Sequence, residues 1–154
     1  MERAEIQKLI EMSLEEFFKN EQDLIDIDAN ERSISFKIAS IIQKQVPSVW
    51  NVDCEYNRDG NDTKLLGIPI ENTKTDDTKG RTVYPDIIIH KRRKKENLLI
   101  IEIKKSGIDY EKDLKKIKAF LSSDKYSYKF GLMLIINTEK ESKEKYETCW
   151  FPST

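Results

Sequence analysis

Two short apolar runs, at 84–90 and 97–104, flank a basic hydrophilic segment at 91–96. Both are rich in Ile and Leu and bounded by polar residues, so they predict two strands joined in a β-hairpin. Folding that hairpin about Lys94 sets position 86 opposite position 102. Directly opposed residues on one face of an antiparallel pair have Cβ atoms roughly 4.5–5.5 Å apart. Alternation then turns Glu102 and Lys104 to the face on which Asp86 lies. Two carboxylates held together repel, and a divalent cation between them removes that cost. A slip of two residues would separate the acids, so the register decides the matter. Glu102 also interrupts a run, "LLIIEI", that otherwise has the pattern of a fully buried strand. Buried carboxylates are rarely tolerated without a cation or hydrogen-bond donors. The plain alternatives are turn chemistry for Pro85-Asp86 and a simple ion pair for Lys104.

Around the hairpin the chain alternates helical and extended patterns. Ile6, Leu9, Ile10, Leu14, Phe17 and Phe18 recur at helical spacing and predict a first helix over 2–19. The acidic stretch 20–26 breaks it. A second helix is expected over 29–45, ended by Pro47, with Ile34, Ile38, Ile41 and Ile42 inward. Asp28 with Glu31 has the form of a capping box at its start. Val52, Cys54 and Tyr56 alternate with Asp53 and Glu55, as in a half-buried strand. Residues 58–81 are polar apart from "LLGIPI", a long connection without clear structure, of a kind that is commonly mobile or functional. An amphipathic helix over 110–121 follows the hairpin, with Leu114, Ile117, Phe120 and Leu121 inward and its lysines outward. Then comes a buried strand at 130–137, and a last short strand is expected at 146–151. The economical architecture is one α/β domain over 1–154: a mixed sheet with helices on both faces and an extra N-terminal helix.

Length fits one domain of 154 residues with a proper core. No apolar run approaches the ~20 residues that span a bilayer, and the N-terminus lacks a signal-peptide pattern. Cys54 and Cys149 lie far apart without ligand-like spacing, which suggests buried or idle thiols in a reducing cytoplasm. With one histidine and no paired cysteines, a zinc cage is not expected. His90 is expected at the surface of a strand end, and Trp50 and Trp150 in packing. Net charge is only −1, but its distribution is uneven. Residues 1–30 carry nine acids against three bases, whereas 91–129 carry thirteen Lys or Arg against six acids. A basic segment next to the acid pair suits a polyanionic partner; Lys-rich tips and helix faces that are merely solvated are the alternative.

Pro85-Asp86 followed by Glu102-Ile103-Lys104 at the end of a second apolar strand resembles the PD-(D/E)XK nuclease superfamily, which includes restriction endonucleases, Holliday-junction resolvases and repair exonucleases. The likeness covers about 28–136. It implies a restriction endonuclease-like α-β-β-β-α-β core and Mg²⁺- or Mn²⁺-dependent hydrolysis of DNA. Asp86 and Glu102 would hold the metal, the carbonyl of Ile103 can add a ligand, and Lys104 would orient or activate water and steady charge on the phosphate. Hard carboxylate oxygens suit these ions. Superfamily members often add a glutamate from a preceding helix, and Glu31, three and seven residues before Ile34 and Ile38, can fill that role or serve only as a cap. Lys91, Arg92, Arg93, Lys94 and Lys95 on the hairpin, Lys105, and Lys112 and Lys115 on the following helix are candidates for holding the nucleic-acid backbone. Glu55 is a polar-face residue that can line the site. The helix after Lys104 lacks the Gln-x-x-x-Tyr pattern of the exonuclease branch, which directs the expectation toward an endonuclease of defence, repair or mobile-element type. A homodimer or an accessory protein would supply specificity that so small a domain lacks. The alternative is a nuclease-fold module that binds nucleic acid, or serves as an accessory subunit, without cutting.

Overall fold

Hydrophobic spacing sets the first elements. The computed structural model describes residues 1–56, 58–59, 62–63, 65–66, 81–82, 84–140 and 142–152. Helix α1 (Arg3–Asn20) buries Ile6, Ile10, Leu14 and Phe17 along one stripe. A short α2 (Gln22–Asp26) occupies the acidic stretch expected to be only a break. Helix α3 (Glu31–Gln45) turns Ile34, Ile38, Ile41 and Ile42 inward. Its cap is Asn30, whose Oδ1 accepts from the Ser33 backbone N–H at 2.9 Å. The expected Asp28–Glu31 capping box does not form: Asp28 has φ 54°, and its carboxylate is spent on Lys105 Nζ at 2.5 Å. Val46 leaves the helix in an extended conformation, as a residue before proline must.

A five-stranded sheet is built in the order β1-β6-β7-β8-β9. Its members are β1 (Asn51–Cys54), β6 (Ile87–Lys91), β7 (Glu96–Lys105), β8 (Tyr128–Ile136) and β9 (Tyr146–Phe151). The β7–β8 pair is parallel and the other pairs are antiparallel. Helix α4 (Glu111–Leu121) makes the crossover between the parallel strands, as such a pair requires. Between β1 and β6 lie two small ribbons, β2 (Arg58–Asp59) with β3 (Asp62–Thr63) and β4 (Leu65–Leu66) with β5 (Arg81–Thr82). They fall in the stretch expected to be one structureless connection, of which 67–80 lies outside the described residues.

Both sheet faces are covered, which is why β6 and β7 are apolar without alternation. Ile87, Ile89, Leu99, Ile101, Ile103, Leu132, Leu134 and Ile136 pack with α1 and α3. Ile88, Ile100 and Met133 pack with Ile117 and Phe120 of α4 and with Tyr126 and Tyr128. Each fully buried Leu, Ile or Phe contributes on the order of 1.5–3 kcal/mol. Strand β1 ends at Cys54 and Glu55 turns with φ 48°, so Tyr56 packs with the α4-side cluster rather than beside Val52 and Cys54. Among the described residues no helix is long and apolar enough to cross a membrane.

Candidate functional site

The hairpin register decides which charges meet. Ile87 pairs with Ile101, Ile88 with Ile100 and Ile89 with Leu99, and extending this register sets Asp86 against Glu102. Toward the tip the register shifts by one between Ile89 and His90, a bulge that leaves Leu98 unpaired but does not reach the acids. Strand β6 begins at Ile87, so Asp86 stands just before it, on the coil that leads in. From there Asp86 Oδ2 accepts the Ile103 backbone N–H at 2.7 Å. That bond fastens the first acid to the middle residue of the Glu102-Ile103-Lys104 trio.

Glu102 continues the face of Ile100 and is fully buried. Lys116 Nζ of α4 meets Oε2 at 2.5 Å, whereas Oε1 is buried with no hydrogen-bond partner. Burial pushes its carboxyl well above the usual range; Lys116 draws it back and the Asp86 charge raises it further. Asp86 is also raised, again chiefly by burial, against the lowering pull of the Ile103 N–H, Lys116 and Lys104. Lys104 extends toward Glu31 Oε2 at 3.7 Å and Asp113 Oδ2 at 3.6 Å. Burial works to lower its ammonium, but Asp113, Glu31 and Asp86 together hold it above the ordinary lysine value.

Asp86 thus faces Glu102, while Lys104 on the same strand face reaches Glu31 and Asp113, so Glu31 meets the lysine and is not grouped with the two acids as a third ligand. Asp113 and Lys116 join them, although the amphipathic pattern of α4 assigns every lysine outward. Lys112 and Lys115 are exposed, while Lys116 is turned in, 17 % exposed, immediately before buried Ile117. One signal could have found it: a buried Glu102 calls for a cation, and the following helix is the nearest source. A cleft of about 210 Å³ lined by Arg32, Ser35, Phe36, Cys54, Glu55 and Asp86 opens next to the acids. Glu55 lines it, paired with Arg32 Nε at 2.7 Å. Burial and neighbouring acids push the Cys54 thiol up to about 11, so it is not a nucleophile at neutral pH.

Other expected residues have structural employment. His90 is 3 % exposed, not a surface residue: its Nε2 lies 2.8 Å from Asp53 Oδ2 and its ring is against Tyr56. Arg92 clasps the same Asp53 through Nε, at 2.9 Å, and through its terminal nitrogen. Lys91 pairs with Glu96 and lies over the Trp50 ring at 4.9 Å. Lys105 points away from Lys104 and is held by Asp28. Arg93, Lys94 and Lys95 are exposed at the hairpin tip, and among the described residues they form no ion pair. That tip is not next to the acids, because the five residues of β6 separate them by about 17 Å.

Metal chemistry is testable on the donor set. Among the described residues, no group of three or more His, Cys, Asp or Glu is arranged to hold a metal ion. Two carboxylates are nevertheless what Mg²⁺ typically takes from a protein, the rest of its shell being water and substrate phosphate. The buried Glu102 Oε1, which has no hydrogen-bond partner, next to Asp86 fits that demand, while Oε2 is engaged by Lys116. No protein-family model matches the chain, and neither curated proteins nor solved structures give a significant match. The class that fold and site define is therefore a single α/β domain with a five-stranded mixed sheet and an acid pair, Glu102 buried and Asp86 half-buried, at one end of its central hairpin.

Proposed function

We propose that this protein is a metal-dependent nuclease that hydrolyses DNA phosphodiester bonds, an endonuclease of the PD-(D/E)XK kind built on that superfamily's core. The observation that carries this reading is Glu102: a wholly buried carboxylate whose Oε1 has no hydrogen-bond partner, opposite Asp86 in the hairpin register and on the same strand face as Lys104. Asp86 and Glu102 would hold Mg²⁺ or Mn²⁺, which supplies Lewis-acid polarisation of the phosphate and a more acidic water. The protein's own groups do the remainder. Glu31 and Asp113 hold the Lys104 ammonium in place between α3 and α4. From there it donates to the attacking water and to the phosphate oxygens as negative charge grows on them. Its part is orientation of the water and stabilisation of the charge that grows on the phosphate. Exposed Lys112 and Lys115 on α4 would meet the nucleic-acid backbone without reading sequence.

A second reading is favoured by one observation. Lys116 already neutralises Glu102, as a permanent structural ion pair would in a module that binds nucleic acid or a partner without cutting. Supercoiled plasmid incubated with Mg²⁺, Mn²⁺ or EDTA separates the two. Nicking that needs metal and falls at least a hundredfold in Asp86→Ala and Glu102→Ala, with plasmid binding kept, is the expected result. Lys104→Ala should lose turnover while keeping metal affinity. Equal cutting by parent and Glu102→Ala rules out the nuclease assignment; binding with no cutting in any metal favours the inactive module.

A further inference from the structure

Lys116 is the lysine of α4 that turns inward to the acids. Its neighbours Lys112, Lys115 and Lys118 on α4 are exposed to water, whereas Lys116 brings its ammonium to a carboxylate with no exposure. Burying an ionised carboxylate without a partner is costly, so a cation at this point stabilises the metal-free fold. Lys116 has two other acceptors within reach. Its Nζ donates to the Tyr84 carbonyl at 3.2 Å and lies 4.0 Å from Asp113 Oδ1, one turn back on the same helix. Asp113 in turn faces Lys104. The charges therefore form an alternating chain, Glu31 to Lys104 to Asp113 to Lys116 to Glu102.

We infer that Lys116 is the resident counter-cation of Glu102, held where a divalent ion must bind, and that metal entry is an exchange in which Lys116 withdraws to Asp113 and the Tyr84 carbonyl. The inference rests on reading Asp86 and Glu102 as a metal site. An ammonium and a divalent ion on one carboxylate repel, so both cannot keep full contact with Glu102. Withdrawal costs little in unpaired charge, because both alternative acceptors are already in place. A closer Lys116 also competes for Asp113, which loosens the hold on Lys104 and leaves its ammonium freer to meet a phosphate. The site thus stays neutralised until metal arrives.

Calorimetric titration of Mn²⁺ into the full chain tests this in the absence of nucleic acid. Lys116→Met keeps the apolar stem and removes the competitor, so it should bind Mn²⁺ at least tenfold more tightly than the parent. Lys44→Met, the same charge change at the exposed end of α3, should stay within twofold. If the parent binds Mn²⁺ and Lys116→Met binds no more tightly, the exchange is overturned and the metal site stands. If neither binds, the metal-site reading falls and takes the exchange with it. A measurement on the unmodified protein covers a variant that does not fold. Addition of diamagnetic Mg²⁺ should shift the Lys116 side-chain amine resonance, assigned by its loss in Lys116→Arg; an unmoved signal at saturating Mg²⁺ overturns the exchange.

Discussion

Asp53 shows how one residue can resist its own burial. Strand β1 places it opposite Ile88, on the face where His90 and Arg92 meet it. Burial works to raise its carboxyl, but hydrogen bonds from His90 and Arg92, helped by their charges, bring it down to about 2. A carboxyl depressed in the folded state stabilises the fold above its unfolded value near 3.8, and that contribution is lost as pH falls through about 2. The size is about 2 kcal/mol, since one pKa unit is worth about 1.4 kcal/mol. Asp53→Asn should therefore lose about that much at pH 7 in urea unfolding, and its gap from the parent should close near pH 2. A gap that persists unchanged at pH 2 would show that packing, not charge, holds the site. Asp86 and Glu102 shift in the opposite direction, because no comparable set of donors outweighs their burial. That contrast separates a carboxylate used to lock β1 to the hairpin from a pair that shares the single close cation Lys116.

At the scale of elements, α4 matters most, because it carries Asp113 and Lys116 to the acids. Its seat on the sheet depends on Gly131 in β8. A Cβ at that position would lie 2.4 Å from Ile117 Cγ2 and 3.2 Å from Leu121 Cδ1, both on α4. The glycine is required by that close approach and not by its backbone angle. Gly131→Ala should cost about 1–3 kcal/mol in chemical denaturation, the usual penalty of overpacking a core. Ile117→Leu, which removes the branch at Cβ, should recover part of it. Full stability in Gly131→Ala alone would mean that α4 shifts freely, and the Lys116–Glu102 contact would then be less closely defined than its 2.5 Å implies. The α3 start is similarly consequential: capping by Asn30 rather than Asp28 leaves Glu31 in the first turn, free to reach Lys104.

Over the whole molecule, charge is segregated while the total stays near zero, at −1. The acid pair and the exposed hairpin tip lie at opposite ends of β6. Duplex DNA presents one charge per about 1.7 Å, so a duplex running along the hairpin would carry about ten phosphate charges over that distance. In the proposed nuclease, Arg93, Lys94 and Lys95 would then bind at a distance from the chemistry. Replacing all three by Ala should weaken DNA binding at low salt and flatten the plot of log affinity against log salt by about 2–3, near 0.9 for each phosphate that is no longer neutralised. An unchanged slope would remove the tip from the nucleic-acid surface. Arg92, Lys91 and Lys105 are poorer candidates, because Asp53, Glu96 and Asp28 already engage them.

Local pattern was enough for the strands of the five-stranded sheet, though not for the small ribbons β2–β3 and β4–β5, and for the register that sets Asp86 against Glu102. Unbroken apolar runs bounded by polar residues declare strands buried on both faces, and the period of two places Asp86, Glu102 and Lys104 together once the hairpin turns about Lys94. Helix stripes at Ile6 to Phe17 and at Ile34 to Ile42 are legible for the same reason, since burial imposes its period on the residues themselves. Lys116, Asp113, the Asp53–His90–Arg92 lock and the Asn30 cap were not legible in this way. A charged residue on an amphipathic helix has the same local pattern whether it faces water or a buried carboxylate. Only the seat of α4 on β7 and β8 decides which lysine meets Glu102. Periodicity reports how much of a surface is buried, whereas the pairing of charges depends on distances between segments far apart in the chain, and those exist only once the sheet and its helices have packed.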